Sequence, residues 1–547
     1  MVCNPGRPYN PRVSTLRARL RLLGLALLIA SPATAQSVIT TRLDDPAAVY
    51  LAPLELGARG DGTADDSAAL QAAIDKAAAP TGGVVFIASG RYRVTRTIYV
   101  WRGVRVFGYG ATRPVIVLGD NTPGFQKGLG LMVMFTHAGR PGAGPPPGNT
   151  RVPFPPPGQI PATNEIPDAG PSTFYSAMSN IDVEIGAGNP AAVAIRFHVA
   201  QHGYLSHMNF QIGSGLAALT EIGNVAVDLH FSGGRYAILT DNTSPFWQFT
   251  VIDSTFDGQR EAAIREHMAQ LTLVRDTFRR VPVAIDIDPR YSDQLWVKDG
   301  RFEDVSKAVV IISNERNATT QIGFEDAMCA NVPVFARFRE SGNTKNAPAP
   351  IYRVANFNHG LVVSEHSTVG EIATAFTATA MNRMPAPDPP ALVALPPSSE
   401  WINVRTLGVK GDGKTDDTDA IQRAIAAHRV LYFPSGVYIV RNTITLAADS
   451  VLIALHPATT HIDLPDSTPG FQGVGAAKAA LAAPPRGRNI VTGLGLYTGA
   501  INPRATGVMW MAGDASLLDD IQFHTRGPGP PGAPACGSAS RDSRDSC

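Results

Sequence analysis

At 547 residues the chain is longer than one ordinary hydrophobic core supports, so several domains or a repeat architecture is expected. Its 47 Lys+Arg against 46 Asp+Glu create no basic field, which argues against a nucleic-acid partner and against a polybasic membrane patch. With 52 Gly and 44 Pro, the composition suits many short strands and turns better than a helical bundle.

In chain order, residues 1–35 read as an export signal. Arg12, Arg17, Arg19 and Arg21 precede an apolar run over 22–30, and Ala33-Thr34-Ala35 matches the small-x-small cleavage pattern before Gln36. The run is too short to span a bilayer. Cleavage after Ala35 and a secreted or periplasmic protein with no membrane span are therefore expected. Cys3 leaves with the signal, Cys329 stands alone, and Cys536 and Cys547 could pair in an oxidising compartment.

Next comes LELGARGDGTADD at 54–66, followed by a helical pattern from Ser67 and a strand-turn-strand, VVFIASGRYRV, at 84–94. Asp61-Gly62 is a turn dipeptide, and Asp65 or Asp66 is placed to cap a helix that covers the open end of a stack of coils. Residues 139–171 are rich in Pro and Gly and read as a long surface loop of the kind that often serves as a lid. Beyond it, Phe210, Phe231, Phe256, Phe278 and Phe302 recur every 21 to 25 residues, each in a similar short-strand setting. That period predicts stacked solenoid coils with an internal aromatic ladder. Acidic residues in 257–261 and 265–266 could face a cleft or be solvated turn charges, and Trp247, Trp296 and His366 have no partner that sequence identifies.

The chain then repeats itself. A Pro-rich linker at 384–400 leads to VRTLGVKGDGKTDD at 404–417, a second helical pattern, and VLYFPSGVYIV at 430–440. LPDSTPGFQ at 464–472 matches LGDNTPGFQ at 118–126, and INPRATGVMW at 501–510 lines up with GNPAAVAIRF at 188–197. Several matches in one order mean one domain type present twice. The expected organisation is a first β-helix domain over 36–383, a second over 401–527, and a disordered tail over 528–547. No P-loop, zinc spacing or EF-hand occurs, so neither a cofactor nor a metal is expected.

The twin GDGxxDD segments, the turn at 434–438 and the coil period resemble the pectate-lyase-superfamily β-helix domain of the rhamnogalacturonase/epimerase type. Doubled in one chain, they look most like the family 55 glycoside hydrolases, exo-acting β-1,3-glucanases. The resemblance implies an all-β fold of two tandem right-handed parallel β-helices with short capping helices, and a polysaccharide partner. It also implies inverting hydrolysis, in which a carboxylic acid protonates the leaving oxygen while a water attacks from the opposite face. In VAQHGYLSHMNF (199–210) the water-positioning glutamine of that family maps to Gln201, which could equally be a glutamine satisfying backbone groups. The general acid is expected in late coils of the second helix, past the DDIQFHTRG coil at 519–527 where the strand pattern stops. On that basis the chain is expected to be a poor enzyme. The alternatives are a non-catalytic polysaccharide-binding or structural β-helix and a polysaccharide lyase or epimerase. Sequence sets no oligomeric state.

Overall fold

The computed structural model describes residues 37–78, 82–136, 173–240, 248–363, 369–387, 389–390 and 392–525. The expected export signal, the stretch 139–171, the tail 528–547, Trp247 and His366 lie outside them. Among the described residues, no helix is long and apolar enough to cross a membrane.

Period-2 alternation of Val, Ile, Leu and Phe makes strands too short to fold alone, and they gain partners by stacking in parallel, one coil on the next. The result is a right-handed parallel β-helix with three faces. The first face runs from Val49–Leu51 through Gly83–Ala88 and Val104–Tyr109 to Leu271–Val274 and Gln294–Lys298. The second runs from Arg91–Val94 through Val115–Leu118 to Thr277–Arg279 and Arg301–Glu303. The third is a separate sheet of ten strands.

A single left-handed residue turns each coil from the first face to the second. Asn180, His207, Asp228, Asp253, Arg275, Asp299 and Asp326 occupy this corner, with φ between 54° and 60°. Asn and Asp tolerate that conformation because their short polar chains bond locally. His207 and Arg275, which suit it less, are each paired to a neighbouring corner carboxylate, at 2.8 Å from Asp228 and 2.7 Å from Asp253.

Inside, the expected phenylalanine register is present. Phe210, Phe231, Phe256, Phe278 and Phe302 are in-register strand partners. Their ring centroids are 5.1, 4.8, 4.4 and 5.1 Å apart, close to the ~4.8 Å strand spacing. Cys329 takes the next position after Phe302 and is buried. The stack then ends in a way the repeat did not forecast. Strand Ile351–Val362 runs antiparallel to Gln321–Ala330, and Glu371–Ala380 runs antiparallel to it in turn.

A second solenoid follows, with faces that begin at Ile402–Asn403, Asp412–Asp416 and Ile444–Thr445. Each solenoid opens with a helix over its first coil, α1 (Ser67–Ala77) and α2 (Thr418–Ala427), burying Leu70 and Ile74 in one and Ile421 and Ile425 in the other. The twin acidic motifs differ in detail from the expected helix caps. Asp65 Oδ1 does accept from the Ser67 N–H at 3.0 Å, but Asp66, at the capping position, makes no cap bond. Its carboxylate turns back to accept the Arg59 and Gly60 N–H groups at 2.6 and 3.0 Å, and Asp417 does the same with Lys410 and Gly411. The second aspartate therefore ties the loop before the helix, because two adjacent free amides outbid one helical one.

A carboxyl also occupies a core position. In Ile264–Glu266, Arg265 points out while Glu266 points inward and is wholly buried beside buried Asp293. Both oxygens of Glu266 and Oδ2 of Asp293 lack a hydrogen-bond partner, and a proton shared between the two carboxyls would satisfy one oxygen of each. Burial, then the Asp293 charge, raises the Glu266 pKa well above its ordinary value. A carboxyl whose folded pKa is raised loses stabilising power as pH climbs above its unfolded pKa. Glu266→Gln is thus expected to raise the melting temperature at roughly pH 8 more than at roughly pH 5. An equal shift at both, in thermal melts, rules out the shared proton.

Candidate functional site

The two solenoids meet along their first faces. Ile39, Leu43, Val84, Phe86 and Phe107 from one side join Trp401, Val430, Tyr432, Val451, Ile453 and Ile490 from the other in a single apolar cluster. Beyond that cluster the seam turns polar.

From the second solenoid, strand Thr460–Asp463 buries Ile462 in the core and so directs His461 and Asp463 outward. In register, His461 is followed on successive strands by Gly495 and Gln522, and Asp463 by Tyr497 and His524. A Cβ at Gly495 would lie 2.6 Å from the His461 Cβ, so only glycine lets the His461 and Tyr497 rings stack at 4.3 Å. His524 packs on the other side of Tyr497 at 4.6 Å. His461 Nδ1 bonds Asp463 Oδ1, while Asp463 Oδ2 is buried without a partner. The Tyr497 hydroxyl donates to Gln522 Oε1 at 3.3 Å. Burial and the Asp463 charge push the Tyr497 phenol up, and burial followed by the nearby His461 lowers the His524 imidazole.

The first solenoid supplies Arg105, Tyr175, His202 and Tyr204. Arg105 is fully buried and donates to the carbonyls of Tyr175 (3.0 Å), Leu455 (2.9 Å) and His202 (3.0 Å), and to both carboxylate oxygens of Asp520. Tyr175 stacks on His202 at 4.8 Å and on His456 at 6.0 Å. His456 Nε2 lies 2.8 Å from the Gly103 carbonyl, and burial, with Arg105 nearby, lowers its pKa to about 3. It is therefore a neutral donor at ordinary pH.

Two adjacent carboxyls behave oppositely. Burial pushes Asp520 up, but the Arg105 guanidinium and His202 outweigh it and hold the group below the usual carboxylate range. Asp519 is exposed to solvent, and its pKa is raised by desolvation from the surrounding protein and then by the Asp520 charge.

Gln201 lies at this rim, on the loop that carries His202. Its side chain is exposed and its carbonyl accepts from the Tyr175 N–H at 3.1 Å. Of the acidic residues at 257–266, Asp257 pairs with Arg280 and Glu261 with Arg235 and the Tyr236 hydroxyl, whereas Glu266 is the carboxyl buried beside Asp293; Arg265 and His267 pair with Asp288. Sequence reasoning missed His461, Asp463, Tyr497, His524, Tyr175, His202 and Asp520. The available signal was the outward position on consecutive coils, T-H-I-D, L-G-L-Y and I-Q-F-H, which keeps an apolar inner residue and varies its polar flanks. Among the described residues, no group of three or more His, Cys, Asp or Glu side chains converges as metal ligands.

A family model described as rhamnogalacturonase A/epimerase, pectate lyase-like, matches residues 54–146 and 401–529. Alginate lyase 7 of Azotobacter vinelandii is 63% identical over 41 residues, 7% of this chain and 5% of that protein. The glucan 1,3-beta-glucosidase of Cochliobolus carbonum is 42% identical over 60 residues, 10% of this chain and 8% of that protein. The chain thus matches only a small part of the length of these curated relatives. The solved structure of sacteLam55A from Streptomyces sp. SirexAA-E aligns over 89% of this chain and 66% of its own, at 14% identity with a TM-score of 0.38.

Proposed function

We propose that the protein acts on a polysaccharide held in the seam between its two solenoids, and that it hydrolyses a glycosidic bond there in the inverting manner of an exo-β-1,3-glucanase. The similarities to polysaccharide-active enzymes, a glucan 1,3-beta-glucosidase among them, support the substrate class. The observation that carries the reaction is the His461–Asp463 pair in the same seam as a carboxyl with raised pKa, Asp519.

In this reading Asp463 accepts the Nδ1 proton of His461 and leaves Nε2 as the base that takes a proton from water. The water oxygen bonds the anomeric carbon as the glycosidic C–O bond breaks, and Asp519 gives its proton to the departing oxygen. In this reading Gln201 orients the water.

Release of reducing ends from laminarin tests the proposal. Asp519→Asn and His461→Ala are each expected to slow turnover roughly 10²-fold or more. The rate should fail at high pH as Asp519 deprotonates, with the limb displaced upward by the raised pKa of that carboxyl. Turnover indifferent to both substitutions overturns the assignment. A rise in ultraviolet absorbance from unsaturated uronides on alginate or polygalacturonate, without laminarin hydrolysis, establishes a lyase instead.

A further inference from the structure

The first face of the first solenoid continues well past the coils that the second solenoid covers. There, between the sheet and the antiparallel hairpin Ile351–Val362 and Glu371–Ala380, lies a groove of about 810 Å³. Two rows of side chains make its floor. One row, in strand register, is Thr272, Trp296, Gly323 and Asn358. Beside it stand glutamines at one repeated position, immediately before the strand cores: Gln248, Gln270, Gln294 and Gln321.

We propose that this groove is a second glycan-binding site, distinct from the seam, and that its ligand is a neutral polysaccharide. Trp296 is 38% exposed in the middle of an otherwise polar row, leaving a flat indole face to solvent. Its Nε1–H donates to Glu325 at 3.4 Å, which fixes the tilt of the ring. Gly323, next in the row, leaves a hollow against it, since a Cβ there would approach the Trp296 Cδ1 to 3.3 Å. An indole beside a hollow is a seat for the C–H face of a pyranose, which is large, flat and apolar in the same way.

The amides supply the hydroxyl contacts. Stacked glutamines sometimes serve only one another as a structural ladder. Here Gln248 Nε2 donates to the Thr272 hydroxyl and Gln321 Nε2 to the Ala318 carbonyl, while Gln248 and Gln294 are exposed. Their rungs recur at ~4.8 Å, near the length of one sugar residue, so successive amides can address successive rings. Among the described residues the lining contains no Lys, Arg, Asp or Glu, and the one histidine among them, His359, is buried and lowered in pKa chiefly by that burial. A polyuronate would find no countercharge, whereas a neutral glycan needs only donors, acceptors and an aromatic face.

This inference stands on the groove alone and does not depend on chemistry in the seam. Native gels cast with laminarin, xyloglucan, galactomannan or polygalacturonate test it with the full chain. At least one neutral polymer is expected to retard the protein. Trp296→Ala should weaken that retardation tenfold or more in apparent affinity and Gln294→Ala less, while Asp519→Asn, in the seam, leaves it intact. Thermal melts of each variant, with Trp296→Phe as a milder change, separate loss of binding from loss of fold. Retardation by polygalacturonate alone, by none of the four, or equally in Trp296→Ala overturns the proposal. So does retardation abolished by Asp519→Asn, which places the glycan in the seam.

Discussion

Replacing Asp520 with Ala is expected to destabilise the protein by about 3–5 kcal/mol and to loosen the seam. The size follows from what is left behind. Arg105 is completely enclosed, and its remaining acceptors are three carbonyls, which cannot neutralise a guanidinium. Removing one partner of a buried pair costs far more than removing both, so Arg105→Met combined with Asp520→Leu should recover much of the loss. Chemical denaturation of the three proteins checks both statements; a double variant no better than the single one refutes the pairing as the cause. The pH dependence has a definite sign. Asp520 titrates below its ordinary value in the folded state, so its contribution is present above the unfolded pKa of about 4 and fades as pH falls through the lower folded value. The gap between wild type and Asp520→Asn should therefore close in acid.

Phe256→Ala is expected to cost a similar amount, roughly 3–5 kcal/mol. Phe256 is the middle ring of the five, fully buried, with neighbours at 4.8 and 4.4 Å on its two sides. Because each ring is held by the coils above and below, the vacated space cannot collapse without shifting two strands. Phe256→Leu, which keeps most of the volume, should cost distinctly less. Equal losses from Leu and Ala in denaturant titrations remove the stacking argument and leave only lost apolar area.

These two effects differ in how far the sequence announced them. The phenylalanine ladder was legible because solenoid geometry places one core residue at nearly the same interval in every coil, and Phe210 to Phe302 keep that interval. The duplicated acidic loops were legible as motifs, though the second aspartate of each serves the preceding loop rather than the helix. Arg105 and Asp520 were not legible. One lies on an outward strand position and the other at a left-handed corner, a place where Asn and Asp recur throughout the first solenoid. Nothing local reveals that a second solenoid will lie against them. The seam residues escaped for the same reason: His461, Asp463, Tyr497 and His524 read as the polar side of alternating strands until another face covers that side. The closing hairpin at 351–380 was read as further coils because alternation alone does not encode strand direction.

The Arg105–Asp520 pair also sets a timetable. Its members are 415 residues apart. At a synthesis rate of 5–20 residues per second, roughly 20–80 s separate their emergence from a ribosome. For that interval the early coils carry a cation, along with Phe86 and Phe107, on a face whose cover has yet to be made. The nascent first solenoid is thus committed to waiting with its stickiest surface outward, and its yield depends on what shields that surface in the meantime.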